Sequence, residues 1–583
     1  MASSPRRRAV SRPAIERLGP NLWPLRLLLL AAILAAYGRA IGNDFVDWDD
    51  SQLIYQNRNL NPPTVVGLFH HWNPLSPDNT GMYDPIVYTV WWGLAHGAQL
   101  DSADLLGAKL NPMIFHGANL AVHWLTSCLV LEILVKLKVS PWAAGGGALI
   151  FAVHPIQTEA VVWATGMKDL ICVFFSMALI LAHLHGDGKK GRWVEGALFL
   201  CAVLSKPSAV VLPVIVVMLD VLILGRGWKR SAMAVLPWVI LGTAAAILAG
   251  MLQPTTYIQR APIWARPLVA ADALAFYMGK LVWPFNLSFD YGRSPANLLD
   301  GPTMHYALWW TWIFPAVVGA ILWRYRENRR LILAAGIFVV GLLPVLGLTT
   351  FIYQYYSTVA DRYVYISMLG AALAAGLFIQ RIPRRVAVGI VSAAGVLMIG
   401  LSFAQAGVWR DSETLYRSGL ALNPRNLNHW VVFGEYNDRQ ANVFLRRAQD
   451  ALLMGDAAQS HDDTRQALDH LNTAIDSYRN AIKIDHRTVM AYDKLSYDLI
   501  LEQHTDEAIA VLWQLIDLQP SLPPRAREDP AALQFTLGMA CYSAGHYADA
   551  AAALQKSLEL KFDPNVEKHL ALARAKMEFE TRP

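Results

Sequence analysis

Charge is scarce in this chain. Only 16% of its 583 residues are Asp, Glu, Lys or Arg, while 54% are hydrophobic. A soluble protein carries about a quarter charged residues, so a wholly soluble class is excluded and a polytopic membrane protein with a soluble appendage fits. Cysteine is scarcer still. Cys128, Cys172 and Cys201 fall inside apolar runs and Cys541 stands alone near the end, which leaves no disulfide framework and no zinc spacing. The net charge of +5 is not gathered into a basic patch, so nucleic acid is not expected as a partner.

What the chain has in abundance is tryptophan and long apolar runs. The 20 tryptophans suit two interfacial aromatic belts. Runs that can span a bilayer, or nearly so, recur at 22–40, 113–135, 141–153, 169–186, 193–204, 208–225, 232–251, 304–323, 331–348, 364–380 and 386–406. By the length criterion that is about eleven spans. They stop near residue 407.

Lys and Arg give the orientation. With a cytoplasmic amino terminus, the inward segments hold the basic tail Arg6–Arg17, then Lys136 and Lys138, Lys189 to Arg192, Arg226 to Arg230, Arg324 to Arg330 and Arg381 to Arg385. The outward segments are longer and poorer in basic residues, a strong positive-inside bias. The first run reads as a retained signal anchor, because "AAYGRAIGNDF" is a poor cleavage site. Eleven spans then leave everything after residue 407 outside. Two outward loops are long, at about 41–110 and 252–302.

The tail from 407 to 583 is different material. "LNTAIDSYRNAIKIDH", "TDEAIAVLWQLIDLQP" and "YADAAAALQKSLELKF" align as one recurring helix, with Ala474, Ala508 and Ala550 in register, as are Tyr478, Leu512 and Leu554. The first step is a 34-residue period and the second carries the extra "PSLPPRAR". Helix–turn–helix units at that period are the tetratricopeptide (TPR) signature, and such solenoids usually present a surface for peptides. The tail is expected to be a domain of its own, tethered directly to the last span.

Chemistry is expected outside, where "NDFVDWDDSQLIYQNRNL" sets Asp44, Asp47, Asp49 and Asp50 beside the first span. Asp and Asn are common helix caps and turn residues, so that stretch alone has a structural explanation. Other outward turns add His154, Glu159, Lys168 and Asp169, then Lys206, then Asp361 and Arg362 after a tyrosine-rich stretch. Acids, isolated cations and aromatics at several span ends on one side suit a site that binds a lipid phosphate and needs a base. His154, Glu159 and the acids match no established metal spacing, so no metal or other cofactor is expected.

Five segments resemble, in order, the TMTC-type proteins and their protein O-mannosyltransferase relatives. They are "FVDWDDSQLIYQNRNL", "HPIQTEAVVWATGMKDL", "LSKPSAVVLPVIVVMLD", "VADRYVYISMLG" and "VWRDSETLYRSGLALNPRN". The resemblance implies an all-α, polytopic GT-C membrane fold over 22–406, preceded by a cytoplasmic tail (1–21) and followed by the TPR solenoid. It implies sugar transfer from a polyprenyl-phosphate donor. Carried over residue by residue, the acidic pair is Asp49, as base, and Asp50; Lys206 and Arg362 contact the donor phosphate; His154, Glu159 and Asp361 assist. Two positions depart from the pattern: Pro207 follows the lysine where an acid is usual, and Met167-Lys168-Asp169 stands where Arg-Ala-Asp is common.

The expected function is transfer of a sugar, mannose by the resemblance, to Ser or Thr of a protein acceptor recruited by the TPR tail. Rival readings are a non-enzymatic membrane-anchored scaffold and a GT-C transferase acting on a lipid or polysaccharide. Arginine outnumbers lysine and the chain is compact for such a protein, which favours a bacterial inner membrane with a periplasmic tail over an endoplasmic reticulum with a luminal one.

Overall fold

The computed structural model describes residues 21–76, 83–103, 107–186, 188–252, 261–300, 311–522 and 527–580. The basic amino-terminal tail, the start of the 304–323 run and part of "PSLPPRAR" lie outside them. Among the described residues the protein is all-α, with helices and short helical turns but no strand beyond two isolated bridges. It is an integral membrane protein. Inside hydrocarbon only a helix or a closed barrel satisfies every backbone group, and each apolar run read from the sequence is helical over most of its described part.

Among the described residues five helical stretches are long and apolar enough to cross a bilayer: Trp23–Gly42, Pro112–Lys136, Ala164–His185, Trp228–Leu252 and Arg384–Val408. Their surroundings differ. In Ala164–His185, 67% of the apolar stretch is buried, against 17% in the last two; the first sits at the centre of the bundle and the others form its rim. Shorter apolar helices, Pro141–Val153 and Met368–Ile379 among them, fill the middle. A Cβ on Gly147 would meet the Ala372 carbonyl oxygen at 2.5 Å, and one on Gly370 would collide with that of Ala334. Small residues at such crossings let backbones touch, which is how helices pack where no hydrophobic effect separates them from lipid.

Two features differ from the sequence expectation. The turn His154–Asp169 is not a surface loop: every residue of it is buried. It folds as three short helical pieces, Pro155–Gln157, Thr158–Val162 and Ala164–Gly166, beneath the outer loops. Irregular backbone at this depth is tolerated because its polar groups are satisfied by protein; Asn119 Nδ2, for example, donates to the Trp163 carbonyl at 2.6 Å. Second, the loop 252–302 contains the helix Arg266–Val282, which buries Val269, Ala270, Ala273 and Tyr277. Asp272 and Lys280 interrupt its apolar pattern. Both are accommodated: Arg293 grips Asp272 at 2.5 and 2.6 Å, and Lys280 Nζ donates to the carbonyls of Phe285 and Asn286.

The tail continues almost without a break from the last long helix. Asp411 caps Ser412–Leu422, accepting from Thr414 N at 2.8 Å. Antiparallel pairs follow: Leu427–Leu453 with Ala457–Ile484, Val489–Leu501 with Thr505–Leu518, and Pro530–Ser543 with Tyr547–Leu560, then a final Pro564–Glu580. Stacked pairs of this kind are compatible with tetratricopeptide units. The register read from sequence corresponds to the core: Ala474, Ala508, Ala550, Tyr478, Leu512 and Leu554 are all 0% exposed. Gly434 faces Tyr478 and Gly538 faces Leu554 too closely for a Cβ, at 2.6 and 2.7 Å. The first pair is about twice the length of the others, 27 and 28 residues, or about 40 Å.

The tail is joined to the membrane region by more than the last span. Asp44 N donates to the Arg410 carbonyl at 2.8 Å and Asp47 N to Ser412 Oγ at 2.8 Å. Asp290, in the second outer loop, takes Asn426 Nδ2 on its carboxylate at 2.9 Å and His429 on its carbonyl at 3.1 Å. A cut at 410 removes contacts that help hold both outer loops.

Within the stack, the buried carboxyls of Asp438 and Asp498 hydrogen-bond each other across the first two pairs, and Tyr478 OH donates to Asp438 at 2.8 Å. Burial, reinforced by the Asp438 charge, pushes Asp498 up to about 9 while Lys494 pulls it down. A carboxyl raised in the folded state binds its proton more tightly than in the unfolded chain. The stability it contributes is therefore full below the unfolded value of about 3.9 and is lost as pH climbs toward 9. Asp498→Asn keeps a donor for Asp438 at every pH. It is expected to flatten the fall in melting temperature between pH 5 and 9 and to add about 1 kcal/mol at pH 8; thermal melts across that range check it. Gly370→Leu is expected to prevent the Gly370–Ala334 approach and cost at least 1–3 kcal/mol, read as a lower aggregation temperature in detergent size-exclusion.

Candidate active site

The acids after the first span have separate tasks. Asp50 is 0% exposed and accepts from Val46 N and Thr165 N at 3.0 Å each and from Thr165 Oγ at 2.5 Å. Burial drives its pKa up to about 7, against the downward pull of those bonds. Asp50 thus joins the first outer loop to the buried turn. Asp47 is held by the tail, with Arg439 Nε 2.6 Å from its carboxylate and Tyr416 OH donating to its carbonyl at 2.6 Å. Asp49 is half-open: its side chain is 39% exposed and lies 3.9 Å from Lys168 Nζ, while Asp44, further from the row in sequence, is exposed.

From Lys168 a row of cations runs through shared rings. The Trp163 ring lies between Lys168 Nζ at 6.0 Å and the Arg362 guanidinium at 5.5 Å. Tyr363 lies between Arg362 at 4.9 Å and Lys206 Nζ at 5.4 Å, and Tyr353 covers Arg362 at 4.3 Å. Each cation has its own carboxylate. Lys168 faces Asp49, Arg362 is locked to Glu159 through both its backbone and its guanidinium, and Lys206 Nζ donates to Asp169 Oδ1 at 2.6 Å. The pairing is what burial demands, because an unpaired charge here costs several kcal/mol.

More acids stand behind the row. Asp84, just ahead of Pro85–Ala98, is 4% exposed; burial raises it to about 6, with Lys168 and Lys206 pulling it down. Asp361 accepts from Tyr291 OH at 2.8 Å, and burial, with the Glu159 charge beside it, pushes it well up. His154 Nδ1 accepts from Ile156 N at 3.3 Å and Nε2 meets the Leu281 carbonyl at 3.1 Å. With burial lowering it to about 4, this histidine is a neutral staple at physiological pH. Among the described residues no three His, Cys, Asp or Glu side chains converge as a metal site.

Of the residues singled out from sequence, Asp49, Glu159, Lys206 and Arg362 belong to one row and its counter-charges. Asp50 and His154 bond the scaffold around it, and Asp361 adjoins Arg362. Sequence reasoning noted Lys168 without giving it a task and missed Asp84, whose only signal was an acid directly before a helix-opening proline. The rings Trp163, Tyr353 and Tyr363 were present only as aromatic density.

The chemistry available is a half-open carboxylate beside Lys168, with Lys206 beyond a braced guanidinium at the other end of the row. An acceptor hydroxyl can give its proton to Asp49, and Lys168 and Lys206 can meet an anionic phosphate.

No family model matches the chain. It is 23% identical over 488 residues to protein O-mannosyl-transferase TMTC4 of Homo sapiens, covering 70% of this chain and 63% of that protein. Against TMTC4 of Mus musculus it is 23% identical over 73% of this chain and 65% of the relative. Against protein O-mannosyl-transferase F38B6.6 of Caenorhabditis elegans the figures are 23%, 69% and 58%. The chain thus spans less than two thirds of the length of these relatives. The chain is similar to the TMTC-type protein O-mannosyl-transferases over about 70% of its length.

Proposed function

We propose that this protein is a membrane glycosyltransferase of the GT-C kind, moving a sugar from a polyprenyl phosphate to Ser or Thr hydroxyls of a protein on the non-cytoplasmic side. The names of its relatives favour mannose and a protein acceptor. The observation that carries the reading is the half-open Asp49 beside Lys168, in a row of cations that ends at Lys206.

The reaction is a single displacement. Asp49 takes the proton of the acceptor hydroxyl as its oxygen attacks the anomeric carbon, and the bond from that carbon to the phosphate oxygen breaks. The phosphate leaves with its negative charge against Lys168 and Lys206, preorganised donors in a site shielded from bulk water. In this reading Arg362, with Glu159 already on it, braces Tyr363 and Trp163 rather than holding the phosphate alone. Asp50 fixes the backbone on which Asp49 is carried. The donor enters from the bilayer, so no nucleotide pocket is needed and no general acid is required for a phosphate leaving group. The tail would present the acceptor, and the compartment would be a periplasm, or an endoplasmic-reticulum lumen in a eukaryote.

Two measurements test this. With purified protein, a polyprenyl-phosphate mannose and acceptor peptides, Asp49→Asn is expected to reduce turnover at least ~100-fold while donor binding persists. Lys206→Ala is expected to raise the donor KM about 10-fold. Wild-type turnover in Asp49→Asn would overturn Asp49 as the base, and no turnover by the wild type would favour the scaffold reading instead. A reporter fused after the last residue is expected to be active outside the cytoplasm, and a cytoplasmic reporter would separate the tail from the acids and overturn the proposal.

A further inference from the structure

The tail touches the acidic loop at more points than tethering requires. Asn43 Nδ2 donates to the carbonyls of Ala406 at 3.2 Å and Trp409 at 2.9 Å. Asp44 N is held by Arg410, Asp47 N by Ser412 and the Asp47 carbonyl by Tyr416 OH. The Asp47 side chain, 4% exposed, ends on Arg439 Nε at 2.6 Å. Asp49 is two residues further on, in the same turn.

Arg439 reaches the loop from the middle of Leu427–Leu453, the first long helix of the stack. Its chain neighbour Asp438 bonds Asp498 in the next pair. Adjacent residues of one rigid helix therefore grip the loop on one side and the following repeat on the other. The groups around Arg439 are Asp47, Glu435, Tyr416 and Tyr55; the buried Asp47 carboxylate depends on its guanidinium. Without it, that carboxylate, 4% exposed under a half-exposed guanidinium, keeps only the long contact from Tyr55 OH at 3.5 Å and must move toward water to be solvated.

We propose that Arg439 is a positioning residue: it fixes the segment 43–50, and with it Asp49, so that the first helix pair of the tail is part of the transfer site. The role in transfer rests on the function proposed above. Arg439 does not touch the reacting atoms and acts through Asp47. A displacement of about 1 Å in a catalytic group costs on the order of 100-fold in rate, so the effect belongs in kcat.

The test uses the full chain in nanodiscs, comparing Arg439→Ala, Arg439→Lys and the milder Tyr416→Phe. Hydrogen exchange of 43–50 is expected to quicken in Arg439→Ala, with exchange in Pro112–Lys136 unchanged. Transfer from a polyprenyl-phosphate mannose is expected to fall 10- to 100-fold in kcat with the donor KM held within about threefold. Arg439→Lys should recover part of both, and Tyr416→Phe should move both in the same sense by less. A general structural defect would instead quicken exchange throughout. Wild-type exchange of 43–50 in Arg439→Ala overturns the anchoring, and an unchanged kcat with a loosened loop overturns the role in transfer. If the wild type transfers no sugar while Arg439→Ala still loosens 43–50, the function fails and the anchoring stands.

Discussion

An ionised group at the end of a membrane helix must be met by an opposite charge, by water or by a proton. That requirement organises the outer end of this protein. Lys168, Arg362 and Lys206 each meet a separate carboxylate, and the acids behind them, Asp84 and Asp361, are pushed toward their protonated forms. The result is a nearly neutral cluster, which is why it can be buried. Its Coulombic attraction is large only because water is scarce around it. An anion entering such a place needs no charge brought in from elsewhere, since it can compete for cations whose present partners are carboxylates.

The same requirement explains how the outer loops and the tail form one body around the cluster. A buried carboxylate on a loop needs a cation from whichever element lies over it. Asp47 finds Arg439 and Asp272 finds Arg293, while the Asp290 carboxylate takes the Asn426 amide. Two of these three contacts join a loop to the tail. The tail is thereby more than an appendage hung on the last helix: its first helices complete the electrostatics of the membrane region.

Legibility in the sequence followed the physics of each element. Apolar runs announced themselves because the bilayer demands about 20 uninterrupted apolar residues, and the repeat was found because Ala474, Ala508 and Ala550 answer the same packing need three times. Arg266–Val282 was missed as a helix because Asp272 and Lys280 break its pattern, and their partners come from a different part of the chain. Asp49, Glu159, Lys206 and Arg362 were picked out by residue type and position at span ends. The depth of His154–Asp169 was not legible, since nothing local tells a surface turn from one roofed by loops that return later in the chain. Nor was the task of Asp47, whose partner lies about 390 residues away.

The rings between the cations carry a consequence for reading mutants. Trp163 is shared by Lys168 and Arg362, and Tyr363 by Arg362 and Lys206. Cation–π attraction is about 0.5–2 kcal/mol for each contact, and here one side chain supplies two at a time. The three positive charges are consequently not independent variables: shifting any one tilts a plane against which its neighbour rests. Substitutions along this line should combine non-additively, and the aromatic positions behave as joints of a single jointed rod rather than as separate contacts.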